Sequence, residues 1–228
     1  MIVRALVFAS LVPLLLTAIY GLEGEQASTS PAKPLTLKEV WGMDATYTDQ
    51  QHGVTFRYPS VWKAATQFGY HPPALTESDV AKPIAGFGYE EGSFPRDHIV
   101  GPYSANNLEG LGIVYSAIPA VNASACETTA SSMAGTQPQT AEHRPVVFSG
   151  RSFSEHHTGQ GGMSQSNSGR LYAIYVRPAC YLFETDVAVS SGALEGALVQ
   201  ALTPDQMGFI EDGLLKIMRS VHITQSGR

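Results

Sequence analysis

The chain has 228 residues, enough for one domain with a substantial core, and 43% of them are hydrophobic, which excludes disorder throughout. Only 15% are charged, while glycine (22) and proline (14) are abundant, a composition of turns and strands rather than exposed helices. The net charge of −6, with no dense Lys/Arg cluster, excludes nucleic-acid binding by bulk electrostatics.

Met1–Arg4 ends on one basic residue, Ala5–Tyr20 (ALVFASLVPLLLTAIY) is uncharged, and a polar stretch of small residues follows. That is the order of a secretory signal. Pro13 interrupts the run, which is short for a membrane span. Residues 1–27 are read as a signal peptide or an N-terminal anchor, 28–45 as a linker, and 46–224 as the folded domain. The protein is expected to be exported, periplasmic or extracellular, and to meet a membrane only through this segment if it is uncleaved. Outside the cytoplasm thiols oxidise, so the two cysteines, Cys126 and Cys180, are read as a disulfide, the alternative being two buried free thiols. Such a bridge contributes roughly 4 kcal/mol in the chain-entropy model.

Val54, Phe56 and Tyr58 alternate with Thr55 and Arg57, the pattern of a half-buried strand. Pro59 stops it, and Trp62 is expected to fold back onto the buried face and the last helix as a large apolar plug. Ala85–Tyr89 and Gly112–Ile118 read as further strands, and Ser124–Ala134 as a short helix around Cys126. Pro145–Phe153 reads as one strand. Leu171–Val176 and Tyr181–Val189 flank a proline turn and read as a hairpin of central strands. Near the end, Thr203 caps a helix, Pro204 takes its first position, and Gln206 completes a capping box. Met207, Ile210, Leu214, Ile217 and Val221 form its apolar stripe, with Lys216 and Arg219 in the last turn.

The unit GVTFRYPSVW, Gly53–Trp62, resembles the first-strand signature of the PsbP-like superfamily, which includes the photosystem II PsbP proteins, the Ran-binding Mog family and exported bacterial proteins. The ending LLKIMRSVHI, Leu214–Ile223, is similar as well. The resemblance implies an α+β fold: an α/β/α sandwich with a central, mostly antiparallel sheet and a C-terminal amphipathic helix packed on it. It implies no catalytic residues, and no cofactor is expected.

Candidate chemistry is sparse. Glu155-His156-His157, with His143 upstream, is the one histidine cluster, but adjacent residues of a strand point to opposite faces. Ser154–Gly169 reads as a long polar surface loop, so His156, His157 and Gln160 are expected to contact a partner rather than hold a metal or act as bases. Gly161–Ser166 (GGMSQS) lacks the G-x-S-x-G spacing of a nucleophile elbow. Glu184 and Asp186 read as a solvated strand face, and Tyr172, Tyr175, Tyr181 and Phe183 as core. The function expected is a non-enzymatic module that binds an unknown protein or small ligand in the cell envelope. The alternative is a metal-binding protein or metal-dependent enzyme using His143, His156 and His157.

Overall fold

A capping box starts the first helix. Thr36 accepts from the Glu39 backbone N–H, and Glu39 reaches back to the Thr36 N–H at 2.7 Å, closing the single turn of α1 (Leu37–Val40). The computed structural model describes residues 35–64, 73–76, 78–90, 102–103, 106–135, 144–161, 165–190 and 200–224. Residues 1–27, read as a signal peptide or anchor, and His143 lie outside them. Of the stretch read as linker, 28–45, the described part from 35 onward is folded: Val40 is buried and Trp41 packs on the core.

After α1, β1 (Ala45–Asp49) and β2 (Val54–Tyr58) form an antiparallel hairpin, and β10 (His222–Ile223) pairs with the other side of β2. Gly53 in the turn has φ +66°, and a Cβ there would lie 2.5 Å from the Thr224 carbonyl oxygen, so both backbone and space demand glycine.

The second sheet has seven strands in the order β3-β4-β5-β9-β8-β7-β6, each ladder antiparallel. They are β3 (Lys63–Ala64), β4 (Ala85–Glu90), β5 (Leu108–Pro119), β6 (Arg144–Phe148), β7 (Arg151–Gly161), β8 (Gln165–Val176) and β9 (Ala179–Ser190). Helices α2 (Pro73–Thr76) and α3 (Ala123–Met133) lie on one face, with Leu75, Cys126 and Ala130 against Val114, Leu171 and Leu182. Helix α4 (Pro204–Arg219) lies with the small sheet on the other, where Ile210, Leu214 and Ile217 join Phe56, Phe153, Tyr172 and Phe183. This is the expected α+β sandwich, and α4 carries the expected Thr203–Gln206 capping box and proline.

Two expectations need correction. Pro145–Phe153 is not one strand: Ser149 (φ 48°) and Gly150 (φ 75°) make a two-residue turn between β6 and β7. Positive φ at both central residues is the geometry that matches strand twist in a tight hairpin. Nor is Ser154–Gly169 a loop. Most of it belongs to β7 and β8, paired from Ser154↔Ala173 to Gly161↔Ser166. Sheet pairing satisfies the backbone there despite a glycine- and serine-rich composition.

Trp62 is buried and donates from Nε1 to the Val40 carbonyl at 2.9 Å. It meets Trp41 edge-on, with ring centroids 5.7 Å apart, and Trp41 in turn meets Phe209 of α4. Gly213 of α4 is where Trp41 seats: a Cβ would lie 2.3 Å from the indole. Gly213→Ala is therefore expected to destabilise the fold by about 1–3 kcal/mol through overpacking, and Trp62→Ala by about 3–5 kcal/mol. Urea unfolding of each variant is the check, and an unchanged midpoint would mean the indole pair does not lock α1 to α4.

Candidate functional site

Asn122 caps α3, accepting from the Ala125 N–H at 2.8 Å. One turn on, Cys126 is bonded to Cys180 of β9, with Cα atoms 5.2 Å apart, so the expected disulfide staples α3 onto the middle of the sheet. Strand alternation then sorts β9. Cys180 and Leu182 face α3, and Tyr181 and Phe183 face α4.

Beside the staple a groove of about 270 Å³ opens between α3 and the β7–β8 pair. Ala123, Cys126 and Glu127 line it from α3, and Ser152, Ser154 and Ala173 from the strands. His156 sits against two of those residues, its Nε2 3.1 Å from Glu127 Oε1 and 3.4 Å from Ser154 Oγ. The Glu127 contact has ion-pair distance without hydrogen-bond alignment. Serine and carboxylate thus meet the same ring nitrogen, whereas a nucleophile relay needs them on opposite nitrogens.

His156 and His157 do not share one site. His156 is buried on the α3 side of β7, which corrects its reading as an exposed partner contact, while His157 is exposed. Gln160 pairs with Asn167 in the ladder rather than standing in a loop. Among the described residues no group of three or more His, Cys, Asp and Glu side chains is arranged to hold a metal ion.

Glu184 and Asp186 depart furthest from expectation: both are completely buried rather than solvated. They continue the Cys180–Leu182 face toward α2. Glu184 accepts from the Ala74 and Leu75 N–H groups at 3.0 and 2.8 Å. The Val187 backbone N–H lies near the Asp186 carboxyl without full hydrogen-bond alignment, and no other donor among the described residues reaches either oxygen. Burial pushes its carboxyl up to about 7, the Val187 amide offsetting only part of that. The signal was available in the sequence, since period two places both acids in line with Leu182.

Other polar clusters serve the α4 side. Arg170 bridges Glu155 at 2.8 Å and Glu211 at 3.5 Å, tying β7 and β8 to α4. Asp49 receives the His52 backbone N–H at 3.1 Å and the Tyr115 hydroxyl at 3.3 Å, joining the small sheet to β5. Burial raises the Asp49 carboxyl, but the His52 contacts outweigh it and leave the pKa below the ordinary value.

These elements define an α+β sandwich with a disulfide-stapled helix over one face and an amphipathic helix over the other. No family model matches the chain, and no curated protein does. Solved structures similar to it include LpqN, involved in cell envelope biogenesis of Mycobacterium tuberculosis, at 12% identity over 79% of this chain and 90% of that one, TM-score 0.41. They also include the Ran-binding protein Mog1p of Saccharomyces cerevisiae, at 10% identity over 78% and 94%, TM-score 0.43. A Bacteroides thetaiotaomicron protein is 12% identical over 82% of this chain and 50% of its own, TM-score 0.40.

The buried acid makes a pH prediction. A folded-state pKa near 7 against an ordinary 3.8 means the native protein holds its proton more tightly than the unfolded chain does. Stability is therefore fully present below about pH 4 and is lost as pH rises toward 7, by up to about 4 kcal/mol. Asp186→Asn, which mimics the protonated acid, is expected to stabilise the protein increasingly from pH 4 to 7 and by a constant amount above. Thermal melts across that range are the check, and parallel curves for the two proteins would mean Asp186 does not titrate there.

Proposed function

We propose that the chain is an exported, non-enzymatic module of the PsbP-like superfamily that binds a protein or small ligand in the cell envelope. The observation that carries this reading is the Cys126–Cys180 bridge, buried between α3 and β9, because such a bond forms and persists in an oxidising compartment. The uncharged run Ala5–Tyr20 supplies the export signal that a route to that compartment needs. The groove beside the staple supplies the binding surface. It is concave, mixes apolar floor with a few hydroxyls and one carboxylate, and rests on a rigid sheet.

Fractionation of cells expressing the full chain tests the first half of the reading. The expected result is a protein in the envelope or exterior, lacking residues before about 28 and showing no reactive thiol when denatured without reductant. A cytoplasmic protein with Met1 intact and two reactive thiols would sink it. For the second half, Ser154→Trp fills the groove and is expected to abolish in-cell cross-linking to an envelope partner while leaving export unchanged. Cross-linking equal to wild type would show that binding lies elsewhere.

A further inference from the structure

The two long helices that cover the large sheet are held in different ways. Helix α4 buries Ile210, Leu214, Ile217 and Met218, an apolar stripe that docks it by the area it removes from water. Helix α3 (ASACETTASSM) holds no Val, Leu, Ile or Phe, and its buried residues are Cys126, Ala130 and Ser131, with Met133 half-buried beside them. Side chains this small remove little apolar surface from water. The hydroxyls of Thr128 and Thr129 donate to the Ser124 and Ala125 carbonyls at 2.9 and 3.0 Å, so those groups are satisfied within the helix itself. Glu127 meets His156 at 3.1 Å but is 34% exposed, and an ion pair open to water on one side contributes little. The Ala120 N–H donates to the Pro178 carbonyl at 3.0 Å, and the Tyr175 hydroxyl to the Val121 carbonyl at 3.2 Å. Both ties lie before the Asn122 cap, so they fix where α3 begins rather than where it lies. Among the described residues the strongest tie left is the covalent one, from Cys126 to Cys180 of β9.

We propose that the Cys126–Cys180 bridge is a redox latch: reducing it releases α3 from the sheet while the α4 side of the domain stays folded. A helix of eleven residues is marginal on its own in water, so a released α3 also unwinds. Its departure uncovers Leu171, Ala173 and Leu182. It also removes Ala123, Cys126 and Glu127, the α3 wall of the groove, so the groove exists only while the bridge does. The inference concerns the helix and stands whether or not the groove binds a partner.

The chemistry needs a dithiol as reductant. Cys126 lines the groove, so the thiolate of the dithiol bonds to that sulfur and the Cys126–Cys180 bond breaks. Cys180 leaves as thiolate and takes up a proton. The second sulfur of the dithiol then closes its own disulfide and releases Cys126 as a thiol. Two electrons and two protons pass from the dithiol to the protein, and an oxidant reverses the exchange.

The test is hydrogen exchange of the full chain at neutral pH, with and without an excess of a small dithiol, with tryptophan emission followed in parallel. The two tryptophans, Trp41 and Trp62, both belong to the α4 core, so their emission reports that side alone. On reduction the amides of residues 126–133 are expected to exchange about a hundredfold faster, with the emission unchanged, and reoxidation restores their protection. The double variant Cys126→Ala, Cys180→Ala is expected to match reduced wild type and to ignore the dithiol. If the α3 amides of reduced wild type keep their protection, packing rather than the bridge holds the helix and the proposal fails. It fails equally if reduction shifts the emission to that of the unfolded chain, because the bridge then holds the whole domain. A bridge that resists the dithiol until the domain unfolds also overturns it.

Discussion

Every other feature of this fold follows from the burial of β9 on both faces. It occupies the middle of the seven-stranded sheet, and its residues from Cys180 to Ala188 are buried without a break. A strand so placed must present two apolar surfaces, and period-two alternation assigns them. Tyr181, Phe183 and Val187 belong to the α4 core, and Cys180 and Leu182 to the α3 core. The helices are there because these surfaces need covers. The bridge fixes one cover at a single residue, while α4 is held by an extended stripe instead.

The two faces use their polar residues differently. On the α4 side, buried polar groups are matched: Glu155 with Arg170, and Asp49 with His52 and Tyr115. These pairs connect elements and leave little chemical potential unspent. On the α3 side the acceptors outnumber the donors near Gly169, and an acidic side chain sits where apolar residues would pack. A buried carboxyl on a face shared with Leu182 is a local conflict, and functional sites are where such conflicts concentrate.

Much of the architecture was legible in the sequence because it rests on local pattern. The alternation of Val54, Phe56 and Tyr58, the apolar hairpin around Arg177-Pro178, and the Thr203–Gln206 box at the start of α4 are signals contained within a few residues, and the structure has all three. The remainder depends on partners distant in the chain. Thr36–Trp41 reads as polar linker, since one capped turn has no period to detect, yet Trp41 is seated by Gly213. Glycine, serine and histidine in 154–169 predict a loop, but ladder bonds from neighbouring strands hold them extended. The pairing of Glu184 with Asp186 on one face was readable, and their burial was not, because alternation names the face without naming what covers it.

The small sheet carries one further consequence. Its third strand is His222–Ile223, hydrogen-bonded to Thr55 and Val54, and Thr224 closes onto Gly53 at 2.8 Å across 171 positions. Until residue 224 is free to move, β2 has a bare edge and α4 has not docked. Contacts of such long separation delay the last folding step. Any restraint on residues 222–224 would therefore leave the small sheet two-stranded, with one edge of β2 open.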